Sequence, residues 1–115
     1  MNYTFLLYTD PADRAAMTPE DGARQQKAYQ AYIGALKEAG VYVDMDWLTG
    51  AETATTLSLK SGKRRVQDGP FAETKETLGG YFRVKAENLD EALAWAEKCP
   101  AAETGLVEVR ASAFG

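Results

Sequence analysis

The chain begins with an apolar run, Tyr3 to Tyr8 in MNYTFLLYTDP, that barely alternates and is ended by Asp10-Pro11. Such a run predicts a central strand covered on both faces. Thr18-Pro19-Glu20-Asp21 then has the form of a helix start, with Thr as cap, Pro at the first helical position and acids in the first turn. Tyr29, Tyr32, Ile33 and Leu36 recur at helical spacing, and Gly40 suits the left-handed residue that closes a helix. Together these predict a helix of roughly twenty residues. Val41, Val43, Met45 and Trp47 alternate with polar positions, which predicts a half-buried strand. Thr53 to Lys60 and Lys63 to Gln67 are the arms of a hairpin turning at Ser61-Gly62. Tyr81 to Ala86 alternates again. Asn88 and Glu91 form a capping box, Leu89, Ala92, Leu93 and Ala96 make a second helical stripe, and Pro100 stops it. Leu106 to Arg110 is the last strand.

The order strand, helix, strand, hairpin, strand, helix, strand predicts an α+β fold: a ferredoxin-like split βαβ with an inserted β-hairpin, in one domain over residues 1–115. A compact chain of this length has a radius of gyration of roughly 13 Å. Helices on one face leave the other face of the sheet to be accounted for, and the first strand offers apolar groups in both directions. That face is expected to pack on another subunit.

Composition narrows the function classes. The 45% hydrophobic and 26% charged content is ordinary for a globular chain. A net charge of −4 argues against nucleic-acid binding, which needs clustered Lys and Arg. The one basic run, Lys63-Arg64-Arg65, lies in the hairpin and reads as a charged edge that discourages aggregation. The N-terminus has no basic region before its apolar run, and no apolar run is long enough to span a bilayer, so a cytoplasmic location without membrane association is the expectation. A single cysteine, Cys99, excludes an intrachain disulfide. Histidine is absent, which removes the commonest general base and the Ser-His and Cys-His pairs. Chemistry here has to run on carboxylates, Tyr, Lys, Arg or backbone groups. Nothing calls for a cofactor or a metal: Asp44 and Asp46 share one strand face, but the remaining ligands of a hard cation are not supplied at any recognisable spacing.

The densest stretch is VQDGPFAETKETLGG, residues 66–80. Pro70 stiffens the chain and holds Gly69 out of the helical region, Asp68 is placed to form an Asx-type turn, and Phe71 is free to plug into the core. Lys75 between Glu73 and Glu76 has two readings. One is a lysine that donates to a substrate carbonyl while a carboxylate takes a proton; the other is a solvated loop with weak ion pairs. Gly79-Gly80 either lets a ligand approach the backbone or relieves crowding where a strand begins. Asp10 is a turn former or a pocket carboxylate. Tyr8, Tyr29, Tyr32, Tyr42 and Tyr81 read mostly as core or interface, though a tyrosine hydroxyl at a cleft edge can act as a proton donor, and Cys99, at a helix C-terminus, reads as a small core residue.

The run DGPFAETKETLGGYF, with LDEALAWAEKCPAAETGLVEVR behind it and MNYTFLLYTD and MTPED ahead, resembles the DGPF proteins, a branch of the YCII-related family, over almost the whole chain. The resemblance implies a homodimer packed through its sheets as a dimeric α+β barrel. It also implies a cleft bordered by the first strand, the first helix and the DGPF loop. In wider relatives a His-Asp pair is proposed for acid–base work; the position resembling that histidine falls on or near Tyr29, so a histidine mechanism is excluded here. Two functions stand side by side. The first is a dimeric small-molecule-binding protein or specialised enzyme, with Asp10, Tyr29, Glu73 and Lys75 as catalytic candidates. Its ligand would meet Tyr8, Asp68, Gly69, Pro70, Phe71, Glu76, Gly79 and Gly80. The second is a non-catalytic interaction module with a protein partner, in line with the association of DGPF proteins with sigma-factor signalling.

Overall fold

The structure, a computed structural model, describes residues 1–115. A four-stranded antiparallel sheet is built from β1 (Asn2–Thr9), β2 (Tyr42–Trp47), β5 (Thr77–Lys85) and β6 (Leu106–Ala111), in the order β2-β5-β1-β6. A separate two-stranded ribbon, β3 (Thr55–Ser58) with β4 (Arg65–Asp68), is inserted between β2 and β5. The helices are α1 (Pro11–Ala15), α2 (Pro19–Glu38), α3 (Leu89–Lys98) and α4 (Ala101–Thr104). Two interlocked βαβ units result: β5 lies between β1 and β2, and β1 lies between β5 and β6. This is the α+β arrangement the sequence predicts, and β1 is central in it.

Helix α2 runs as its caps dictate. Thr18 and Asp21 close a full capping box, and Gly40 takes φ +73° just beyond the end. Helix α3 starts on Asn88, whose side chain accepts from Glu91 N, while the Glu91 carboxylate reaches Glu87 N and not the cap residue itself. The core is a single cluster in which Tyr3, Phe5, Leu7, Phe82 and Val84 of the sheet meet Tyr32 and Leu36 of α2 and Ala92, Ala96 and Cys99 at α3 and its end. Cys99 is a core residue, as expected.

Three expectations need correction. The apolar stripe of α3 is rotated: Ala92 and Ala96 are buried, whereas Leu89 and Leu93 are about half exposed. Small residues let the helix lie close to the sheet, and the leucines flank that contact. Strand β2 does not alternate throughout. Tyr42 pairs with Val84 and Asp44 with Arg83, so Val43 is the extra residue of a bulge, and only Met45 and Trp47 of the predicted set continue the inward face within the paired strand. Finally, the radius of gyration is 16.0 Å. The excess over a compact chain comes from the β3–β4 ribbon, which projects as an arm and makes no substantial packing contact with another element.

Within one copy, only the helix-facing side of β1 is covered: Tyr3, Phe5 and Leu7 are buried, and Thr4, Leu6 and Tyr8 are not. Cross-strand register places Asp46, Tyr81, Leu6 and Glu108 in one row of the open face and Asp44, Arg83, Thr4 and Arg110 in the next.

Candidate functional site

Residues 68–80 leave the arm and lead into β5. Gly69 adopts φ +93°, a conformation that favours glycine. Its N–H donates to the Ala54 carbonyl at 2.6 Å, and its carbonyl accepts from Thr56 Oγ1 at 2.9 Å. These two bonds tie the base of the arm together. The Asp68 carboxylate makes no hydrogen bond at this turn, so the expected Asx turn is replaced by contacts from the opposite strand. Phe71, expected in the core, is 87% exposed. The loop hangs from an arm that stands away from the sheet, and no core lies within its reach.

The charged part of the loop is also open. Glu73 and Lys75 are exposed, and the chain's ion pairs are Asp21 with Arg24 and Asp44 with Arg83, so Lys75 is not clamped between two carboxylates. Thr74 Oγ1 donates to the Glu76 carbonyl at 2.5 Å and fixes the last bend. Glu76 differs from its neighbours. Its side chain is half-buried, and its Oε2 is wholly buried with no hydrogen-bond donor.

The sheet brings other candidates near this end. Thr9 pairs with Thr77, and one step beyond stand Asp10 and Glu76, two carboxylates at the same end of the β1–β5 ladder. Asp10 is a capping residue: its Oδ1 accepts from Ala12 N at 2.9 Å and starts α1. Tyr8 faces the open side of the sheet, level with Leu78 and Leu106.

Tyr29 belongs to a different constellation. Its ring meets Trp47 edge-on with centroids 4.5 Å apart and lies near-parallel to Phe82 at 6.3 Å. Burial, reinforced by the nearby Cys99 thiol, pushes the Tyr29 phenol well above its ordinary range, so it keeps its proton. Trp47 crosses the strand to cover Gly80: a methyl added there would meet the Asp46 carbonyl at 2.6 Å and the Trp47 ring at 2.8 Å. The open side of Gly80 is therefore filled by the protein itself. Gly79 has room above it, and its carbonyl accepts from Leu48 N at 2.9 Å. A tryptophan directly opposite a strand glycine was the available sign of this cluster, and sequence reasoning did not use it.

On the open face, Arg83 holds Asp44 with two bonds, Nε to Oδ1 at 2.7 Å and Nη2 to Oδ2 at 3.0 Å. Those bonds keep the Asp44 carboxyl below the usual carboxylate range and raise Arg83. Asp44 is thus engaged by a cation of the protein, and no three acidic, histidine or cysteine side chains gather as a metal site. Two surface concavities stand out. One, of about 550 Å³, lies between α3 and β6; the other, of about 340 Å³, lies between α2 and the end of α3. Neither includes the DGPF loop.

The family model for the YCII-related domain matches residues 1–112. The chain belongs to the YCII-related family. It is also similar to an uncharacterized protein of Rhizobium meliloti (strain 1021), 37% identical over 112 residues, which is 96% of this chain and 90% of that protein. In this YCII-related chain the Phe71–Lys75 part of the DGPF segment is an exposed loop joined to a projecting arm, and Tyr29 packs in a separate aromatic cluster with Trp47 and Phe82.

Proposed function

We propose that the chain is a homodimeric small-molecule-binding protein whose ligand sits at the end of the β1–β5 ladder, over the stretch from Asp10 to Glu76 and the DGPF loop. The observation that carries this reading is the Glu76 carboxylate oxygen, buried without a donor. Leaving a buried acceptor unpaired costs about 1–3 kcal/mol, and a donor from outside the chain, on a ligand or a water, relieves that cost. A ligand with an N–H or O–H group fits that need, and the exposed Glu73 and Lys75 precede Glu76 on the same loop. In a catalytic version Asp10 or Glu73 takes the proton and Lys75 polarises the substrate. Tyr29, packed against Trp47 and Phe82, has no part in that version.

Dimerisation is supported by surface area. The single chain exposes 8115 Å², against roughly 6,200 Å² for a compact monomer of this length. The difference is of the order that a stable interface removes. The open sheet face, with Leu6, Tyr8, Leu78 and Leu106, is the part of the surface to cover.

The test is native mass spectrometry of protein purified without added ligand, followed by binding measurements on whatever mass is carried. Glu76→Gln is expected to lose the bound species and Lys75→Ala to weaken it. If Asp10→Asn, Glu73→Gln, Lys75→Ala and Glu76→Gln all bind as the parent does, the site lies elsewhere. A second reading, a module that binds a protein partner, draws on the exposed apolar side chains Leu57, Leu59, Val66 and Phe71. Stoichiometric co-purification of another protein, with no small molecule carried, would favour it.

A further inference from the structure

A two-stranded ribbon is marginal in water when it has no third strand or helix to pack on. The β3–β4 arm is such a ribbon, yet it displays Leu57, Leu59 and Val66, each at least half exposed. It is also the basic part of an acidic protein: residues 53–67 carry Lys60, Lys63, Arg64 and Arg65 and no acid. The groove between α3 and β6 has the opposite character. Leu93, Ala96, Leu106 and Val109 form its apolar walls, and Asp90 and Glu97 flank it. Residues 87–111, which build it, carry six acids and two bases. Strand β6 is also an edge of the sheet, with one side of its backbone unpaired.

Arm and groove cannot meet within one chain, because the arm follows β2 at one edge of the sheet and the groove lies along β6 at the other. Two copies stacked by their open faces about a two-fold axis parallel to the strands place β2 of one beside β6 of the other. We propose that in this dimer each copy lays its β3–β4 arm into the α3–β6 groove of its partner. The exchange is reciprocal, so it closes at two copies. It covers the apolar arm and pairs its four cations with the acidic rim. The proposal rests on the homodimer reading above and adds the surface that locks it.

The experiment combines sedimentation with cross-linking of the full chain. Leu59→Cys and Leu93→Cys variants are co-expressed and treated with a short bismaleimide, while Cys99, only 1% exposed, stays out of the reaction. A covalent dimer containing one copy of each variant is expected. Reversing the exposed charges with Lys63→Glu, Arg64→Glu and Arg65→Glu is expected to weaken dimerisation about tenfold or more. Asp90→Lys with Glu97→Lys is expected to restore it. A protein that sediments as a dimer but gives no mixed cross-link, and whose dissociation constant ignores the charge reversal, overturns the arm exchange and leaves the sheet dimer standing. A protein that sediments as a monomer at every concentration overturns both.

Discussion

The sheet with its helices and the arm with its loop follow different rules. In the first, Phe5, Leu36, Phe82 and Val84 are wholly buried, and every strand is placed by its neighbours. In the second, from Thr55 to Lys75, no residue is buried, and order depends on the β3–β4 ladder, the turn at Ser61-Gly62 and two bonds at Gly69. These twenty-one residues of one protein thus have the makeup of an interface before any partner is present. The difference teaches where change will be felt: in the first region as loss of folding, in the second as loss of assembly or binding.

The strongest way to sharpen the contrast is Phe82→Ala. It removes a ring that contacts Tyr29, Tyr32 and Trp47 and should cost about 3–5 kcal/mol in urea unfolding, enough to threaten the fold. Next is the alkaline limb of stability. Burial pushes the Cys99 thiol from its ordinary 9.0 up to about 11, so well below pH 9 the thiol is protonated whether the chain is folded or not. As pH rises from 9 towards 11 the unfolded chain ionises first, and roughly 2–3 kcal/mol of stability is lost. Unfolding curves of Cys99→Ala across that interval should be flatter by that amount; an unchanged slope would assign the loss to Tyr29 and Tyr32 alone. Gly80→Ala should cost about 1–3 kcal/mol by driving a methyl into Asp46 and Trp47, while Gly79→Ala, with space above it, should cost clearly less. Smallest of all, Phe71→Ala should change the free energy of unfolding by no more than about 0.5 kcal/mol. A loss as large as that of Phe82→Ala would abolish the distinction between the two regions.

The acid side works in the other direction. Asp44 is held below the usual carboxylate range by Arg83, so its contribution is present above the ordinary carboxylate pKa and fades as pH falls through the depressed value. Asp44→Asn should soften the acid limb without touching the alkaline one.

Most of the first region was legible because local and distant signals agree there. Thr18, Gly40, Asn88 and Pro100 are punctuation that works through the backbone, and the stripe through Tyr29 and Leu36 had no competitor. In α3 two stripes overlap, and periodicity alone does not decide between Leu89 with Leu93 and Ala92 with Ala96; the decision belongs to how close the helix lies to the sheet. Phe71 was misplaced for a related reason. A stiff turn delivers an aromatic ring, but whether a core lies within reach depends on the arm's direction, which no local pattern encodes. Of the site candidates, the pairing of Thr9 with Thr77 brings Asp10 and Glu76 to one end of the sheet, whereas Tyr29 belongs with Trp47. Cross-strand register made that division, and register is fixed by both partners at once.

The central position of β1 has a consequence for how the sheet closes. This strand takes its two neighbours from residues 77–85 and 106–111, so both of its ladders join segments far apart in sequence. Each ladder needs a long loop to be closed before its contacts are gained, and the most apolar strand stays half-paired until both have formed.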